Sequence, residues 1–302
     1  MSLPESDRFE AKLGRQPFLV TLEVNPPKGT DCGEILAAVD RVRGLVDAIN
    51  VTDGSGAIMR ASPIAVAKVV LDAGVDPILQ LTCRDRNRLA LQADRLGAAI
   101  LGIRNVLLLT GDDPKAGDHP DAKPVFDINS AALMHAARGL AAGQDMAGKT
   151  LTGAPRLYIG AAADPGAKDL EVETQKLKAK IDGGAQFFQT QAVFDAAALR
   201  AFMPRAKPFG KPVLAGILLV KSAKMARYMN EHVWGIHVPE PLIARLEQAA
   251  DKRAECVAIT AELIRAVRDV ADGIHLYTLG WEDLVPDILK EADVARPAAG
   301  RR

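Results

Sequence analysis

Eight short apolar runs recur along the chain, each separated from the next by helix-length amphipathic sequence, and that alternation leaves few folds open. The runs are Phe18–Val24, Ala48–Thr52, Pro77–Cys83, Asn105–Thr110, Arg156–Ala162, Phe187–Val193, Pro212–Leu219 and Ile274–Leu279. Between them, Ile35, Val39, Val42 and Val46 form one helical stripe behind a cap expected at Asp31, and Leu170, Leu177 and Ile181 form another. Further helices are expected over 63–72, 88–101, 129–142, 196–203, 223–231 and 282–292, with an additional amphipathic segment, 241–271, before the last strand. Eight strand–helix units in 302 residues match a single-domain α/β fold, the (β/α)8 TIM barrel, carrying an extra helix before its last strand. The competing doubly wound sheet calls for a Gly-x-Gly-x-x-Gly turn after the first strand, and the turn here reads Asn25-Pro-Pro-Lys-Gly29. One domain is therefore expected over residues 1–302, with Ala295–Arg302 as a frayed tail.

Charge and cysteine usage remove several function classes. Lys plus Arg equals Asp plus Glu, 38 each, so no basic surface for nucleic acid or an anionic membrane is expected. No apolar run reaches the length of a membrane span, and the first residues are too polar for a secretory signal. Cys32, Cys83 and Cys256 are odd in number, far apart and in no Cys-x-x-Cys pair. They point to a reducing, cytoplasmic setting with neither a disulfide framework nor a metal site.

In such a barrel, chemistry gathers at the carboxyl ends of the strands. Alternation in the first strand puts Val20, Leu22 and Val24 on one face and Leu19, Thr21, Glu23 and Asn25 on the other. A carboxylate at such a position is costly unless it is paired, wet or protonated, so Glu23 is a candidate acid. The same end collects Thr52-Asp-Gly-Ser-Gly56, Gln80, Thr82, Thr110-Gly-Asp-Asp-Pro114, a long loop through Asp118 and His119 to Phe126, Gln189, Gln191, His275 and Tyr277. Singly, Asp-Gly and Asp-Asp-Pro are ordinary turn formers, the strand glutamines suit bonds between core layers, and His275 reads as a bonded core histidine. Together, Glu23, Thr52, Gln80, Asp112, Gln191 and Tyr277 describe a barrel enzyme with one general acid and amides suited to a planar ligand.

The order and spacing of Leu22-Glu-Val-Asn-Pro-Pro27, Val51-Thr-Asp-Gly54, Leu81-Thr-Cys83, Leu109-Thr-Gly-Asp-Asp-Pro114, Lys176-Leu-Lys-Ala-Lys-Ile-Asp-Gly-Gly-Ala185, Thr190-Gln-Ala-Val-Phe-Asp195, Ala215-Gly-Ile217 and Tyr277-Thr-Leu279 resemble one family. It is the methylenetetrahydrofolate reductases, flavoprotein barrels of one-carbon metabolism, and the resemblance runs over about residues 17–285. The stretch Gly117–Asp127 resembles the short bacterial form. The resemblance implies reduction of 5,10-methylenetetrahydrofolate to 5-methyltetrahydrofolate, with NADH or NADPH as electron donor and FAD as carrier in a ping-pong cycle. It gives Glu23 the role of general acid, and it places Asp112 on the pterin and beside the flavin. Gln191 falls to the folate and the nicotinamide in turn, Tyr277 to the substrate, and Thr52, Gln80, Gly111, Glu173 and Lys180 to the flavin. The tetrahydrofolate substrate is the partner so implied, and association of the barrel with further copies of itself is left open.

The chain also departs from the family pattern. Strand five ends Gly160-Ala-Ala-Ala-Asp-Pro165 without the tyrosine and histidine of many relatives. Thr110 stands for an arginine, Gln80 for a histidine, Lys176 for an asparagine, and Gly280-Trp281 for an Asn-Arg pair. Three other readings follow: hydride transfer to the same folate without flavin, a folate or corrinoid methyltransferase, and an accessory barrel without catalysis.

Overall fold

Two separate cores form because each strand sends alternate side chains inward and outward. The computed structural model describes residues 3–294 and 296, except 14 and 234. Its strands are β1 (Leu19–Val24), β2 (Ala48–Val51), β3 (Pro77–Thr82), β4 (Asn105–Leu109), β5 (Tyr158–Ala163), β6 (Phe187–Ala192), β7 (Val213–Leu218) and β8 (Gly273–Tyr277). They pair in sequence order, all parallel, and β8 returns to β1 to close the barrel. The helices are α1 (Phe9–Leu13), α2 (Gly33–Val42), α3 (Pro63–Asp72), α4 (Arg88–Ile100), α5 (Ser130–Ala141), α6 (Leu170–Asp182), α7 (Ala196–Ala206), α8 (Ala223–His232), α9 (Glu240–Gln248), α10 (Lys252–Val267) and α11 (Val285–Glu291).

Outward residues such as Val20, Leu22, Ile49, Val51, Leu79, Leu81, Val106 and Leu108 pack under the helices in the larger core. Inward, the amino-terminal end of the barrel is filled by Leu19, Ala48, Ile78, Leu107, Tyr158, Phe187 and Leu214, and Phe9 of α1 plugs it. The Phe9 and Phe187 rings meet edge to face at 5.2 Å, and Tyr158 stacks on Phe187 at 5.4 Å. Burying each such side chain is worth roughly 1.5–3 kcal/mol. Gly160 makes room for this filling, since a Cβ there would lie 2.3 Å from Phe187 Cζ. With apolar groups sealing one end, the inward polar residues lie in the middle and at the opposite mouth.

All eight strands fall within two residues of their expected limits. The segment between β7 and β8 is organised differently from expectation. Residues 241–271 are not one extra helix: the chain breaks after α9, and Asp251 caps α10 by accepting from the Arg253 and Ala254 amides at 2.9 and 3.1 Å. Helix α10 lies against α7, β7 and α11 and takes the ring position. Its Val257, Ala261, Ile264 and Val267 join the main core, whereas Ala226, Met229, Ile243 and Leu246 of α8 and α9 form a smaller cluster that Ile259 of α10 also joins. The insertion thus precedes the ring helix. Helix α1 has no counterpart among the expected elements, because five residues are too few to show periodicity. At α2, Asp31 accepts from the Gly33 amide at 2.8 Å, but Cys32 holds the residue position before the helix. Of the tail, Arg296 is anchored to Asp47 at 3.0 Å rather than frayed, and the remainder of Ala295–Arg302 lies outside the described residues.

Candidate active site

Glu23 points into the barrel near the carboxyl end of β1 and is 9% exposed. Its neighbours in register are Asn50 of β2 and, two residues earlier, the Thr21–His275 pair of β1 and β8. Gln80 of β3 donates from Nε2 to Glu23 Oε2 at 3.4 Å, and His275 Nε2 lies 3.7 Å from that same oxygen. The Thr278 hydroxyl donates to the Glu23 main-chain carbonyl at 3.3 Å, which ties the β1 end to the loop after β8.

Beneath Glu23 lies a buried polar layer from four strands. Asn50 Nδ2 donates to Gln189 Oε1 at 2.7 Å, and Gln189 Nε2 donates back to Asn50 Oδ1 at 3.0 Å. Gln189 Nε2 also lies 3.1 Å from Thr21 Oγ1 and 3.2 Å from His275 Nδ1, and the Thr21 hydroxyl is 2.9 Å from that same Nδ1. Reciprocal bonds of this kind let a barrel interior hold amides at little net cost. The expectation of a bonded core histidine is met at Nδ1 alone, for His275 Nε2 is buried and makes no hydrogen bond. An unsatisfied buried group costs roughly 1–3 kcal/mol.

On the neighbouring strand β8, Tyr277 is half-buried and its hydroxyl donates to Thr190 O of β6 at 2.8 Å. Burial pushes its phenol pKa far up, and the nearby Glu23 charge acts in the same direction. Between Gln189 and Ala192 the β6–β7 register shifts, and the Thr190 hydroxyl accepts from the Gly216 amide at 2.8 Å. Such an irregularity re-aims a strand end. Gln191, just beyond, is exposed, and among the described residues its side-chain amide has no protein partner.

Asp112 stands exposed after β4 and accepts from the Gly56 amide at 2.8 Å, which joins the β4 and β2 loops. Gly111 precedes it at φ 95°, where a side chain is strained and a Cβ would sit 2.9 Å from Thr82 Cβ. The long loop is strapped down along its length. Gly117 packs on Ala57, Asp118 pairs with Lys28 at 2.6 Å, and Asp127 takes Arg88. Lys28, the Met59 amide and His119 together hold the Asp118 carboxyl far below the usual range. A cavity of about 330 Å³ opens under this strap, lined by Arg60, Arg84, Arg86, Asp53, Asp85 and His119 among others. A larger groove of about 520 Å³ runs along α8 and takes in none of the candidate residues.

Two expected flavin positions are turned into the fold. Thr52 and Glu173 are 1% and 4% exposed. The Thr52 hydroxyl donates to Asn25 Oδ1 at 2.8 Å, and Glu173 Oε1 accepts from the Asp164 amide at 3.0 Å. Lys180 reaches from α6 to the Ala162 carbonyl near the end of β5 at 2.7 Å. Burial lowers the Lys180 pKa, and Glu173 opposes that shift.

The structure brings Glu23 and Gln80 together directly and sets Gln191, Tyr277, Gly111 and Asp112 at strand ends around the same mouth. Sequence reasoning passed over Asn50, whose signal was a polar residue in Ala48-Ile-Asn-Val51 on the parity of Thr52. It also passed over Asp53, which accepts from Thr82 and Arg86; the charge run Arg84-Asp-Arg86 was the available sign. Among the described residues no cluster of His, Cys, Asp and Glu could hold a metal ion, and all three cysteines are free.

A family model described as Methylenetetrahydrofolate reductase matches residues 8–293. The 5,10-methylenetetrahydrofolate reductase of Pectobacterium carotovorum subsp. carotovorum is 25% identical over 286 residues, covering 88% of this chain and 87% of that protein. Methylenetetrahydrofolate reductase 1 of Schizosaccharomyces pombe is 26% identical and covers 94% of this chain. The chain spans 47% of that yeast protein and 34% of a Caenorhabditis elegans relative. Solved barrels share the fold alone: riboflavin lyase at TM-score 0.52 and 12% identity, covering 93% of both chains, and phosphoenolpyruvate phosphomutase from Streptomyces platensis subsp. rosaceus at 0.51 and 13%, covering 93% of this chain and 83% of that one. Because the family match runs nearly from end to end of a closed eight-stranded barrel, this chain belongs to the methylenetetrahydrofolate reductase family.

Proposed function

We propose that this chain reduces 5,10-methylenetetrahydrofolate to 5-methyltetrahydrofolate with electrons from NADH or NADPH, and that Glu23 is the general acid. The observation that carries the reading is the carboxyl of Glu23 itself. Gln80 donates to Oε2 and His275 Nε2 lies 3.7 Å from that oxygen, while Oε1 takes no hydrogen bond among the described residues and is not sealed from solvent. An acid so held keeps one oxygen for a substrate proton. Protonating one ring nitrogen of the imidazolidine lets that C–N bond break, and the other nitrogen's lone pair forms the iminium. Hydride then adds to the iminium carbon, giving the methyl group.

The remaining residues take positioning roles. Asp112, exposed on its loop, accepts from the amino-bearing edge of the pterin through the oxygen not used by Gly56. Gln191 offers one donor and one acceptor to whichever flat ring occupies the mouth, folate or nicotinamide. Tyr277 forms part of the wall that the ring lies on.

The groups present fit the flavin that the resemblance implies, because several keep unspent bonding capacity. Lys180 uses one donor on Ala162, Asp112 uses one oxygen on Gly56, and Gln80 uses its amide nitrogen on Glu23. Gln80, Gly111, Asp112 and Lys180 would hold FAD, with the buried Thr52 and Glu173 supporting them from behind. Bound there, FAD supplies a two-electron carrier between nicotinamide and folate.

Purified protein mixed with NADH and methylenetetrahydrofolate is expected to oxidise the nucleotide and release 5-methyltetrahydrofolate. Methyl transfer without nucleotide consumption would replace this reading with a methyltransferase, and no turnover would favour the accessory barrel. The absorption spectrum of the purified protein is expected to show oxidised flavin. A colourless protein that still turns over passes hydride directly.

A further inference from the structure

His275 is the buried titratable group at the site that the proposed steps leave without a task. It is 1% exposed and sits one layer below the mouth, on the strand that closes the barrel against β1. Its Nδ1 faces two groups, the Thr21 hydroxyl at 2.9 Å and Gln189 Nε2 at 3.2 Å. The reciprocal Asn50–Gln189 pair closes equally well with both amides turned over, so the tautomer is set at the other ring nitrogen, whose facing polar group is a carboxyl oxygen of Glu23. Nδ1 accepts from the Thr21 hydroxyl, and because a carboxyl oxygen accepts, in the neutral ring the proton belongs on Nε2. That nitrogen has no other partner, and it is aimed across 3.7 Å at Glu23 Oε2.

We infer that His275 is a positioning residue for Glu23, its Nε2–H directed at Oε2 across 3.7 Å so that the acidic proton stays on Oε1 toward the substrate. The inference rests on the reading of Glu23 as the acid. It explains why the barrel spends a three-residue polar layer, Thr21, Asn50 and Gln189, on one imidazole. That layer holds the Nδ1 edge of the ring, and the held ring aims Nε2 at Glu23. Gln80, on the far side, shares the same oxygen, so both donors leave Oε1 alone.

Two conservative variants separate this role from a structural one. Glutamine places its amide nitrogen near the imidazole Nε2 position, and asparagine places its own near Nδ1. His275→Gln is expected to retain most of kcat for folate reduction. His275→Asn is expected to lower kcat roughly a hundredfold at unchanged KM, the scale for misplacing a reacting group by about 1 Å. In a Glu23→Gln background, His275→Asn is expected to cost nothing further, since both changes act through one carboxyl. Retention of kcat by His275→Asn with loss in His275→Gln would overturn the inference, as would an equal loss in both backgrounds. Either result leaves Glu23 as the acid, provided Glu23→Gln alone blocks folate reduction. Unimpaired folate reduction in Glu23→Gln would instead remove the acid assignment and this inference with it. The unmodified protein supplies a check independent of refolding. The ¹⁵N shifts of its His275 ring are expected to report the neutral Nε2–H form, and an Nδ1–H form would overturn the inference.

Discussion

The Tyr277 hydroxyl reaches the Thr190 carbonyl across β7 at 2.8 Å, over the position that Gly216 leaves without a side chain. A Cβ at Gly216 would stand 2.4 Å from Thr190 O and 2.8 Å from Tyr277 Cε2. Gly216→Ala is therefore expected to cost about 1–3 kcal/mol of stability through overpacking and to raise KM for folate by moving the Tyr277 ring. Denaturant unfolding and steady-state kinetics on the same preparation check both parts. Unchanged values in both would show that the crossing is not needed.

Replacing Glu23 by glutamine keeps the side chain's size and its contact with Gln80 but removes the transferable proton. Folate reduction is expected to fall roughly 10²–10⁴-fold, the usual worth of a general acid. Oxidation of NADH in the first half-reaction is expected to survive. Stopped-flow measurement of the two half-reactions separately is the check, and equal loss in both would count against the acid role.

Gln191 is exposed at the end of β6, and among the described residues its amide meets no protein group. Gln191→Ala should change stability by less than about 0.5 kcal/mol, as for other surface positions without partners. Its expected effect is a rise in KM for both folate and nicotinamide, with no change in melting temperature. A rise for only one substrate would show that a single ring uses this amide.

Asp127 anchors the end of the β4 strap by accepting from the Arg88 amide, Nε and a terminal nitrogen at 2.9, 2.8 and 2.9 Å. The Arg88 side chain and then its amide lower the Asp127 pKa from 3.8 to about 2. A depressed carboxyl stabilises the fold above its unfolded value, and that contribution is lost as pH falls through the folded one. Melting temperatures of the native protein and Asp127→Asn, compared from pH 5 to about 2, are expected to differ most at the upper end and to converge at the lower. Parallel curves would show that this pair does not anchor the strap.

Strand positions were legible because a period-two apolar run bounded by turn residues is a local signal. Glu23 stood out for the same reason, as a charge among Val20, Leu22 and Val24. The extra helical segment before β8 was legible, but not its break into α9 and α10, because a helix stop set by the Asp251 cap is a short local signal inside a long helix-length stretch. Thr52 and Glu173 fell at the expected strand and helix positions, yet both are buried. Parity and spacing give direction along an element, not depth beneath neighbouring loops.

By itself the sequence determined the closed β/α barrel, the end of it that carries the polar groups, and the carboxylate at its first strand. Those properties follow from residues near one another in the chain. Only the tertiary structure decided that Thr21, Asn50, Gln189 and His275 share one layer, and that Gln80 and His275 meet on one oxygen of Glu23. These side chains come from strands far apart in sequence. Their contacts are set by the closure of the barrel, which brings β8 back to β1 and lets residues 252 positions apart share one carboxyl.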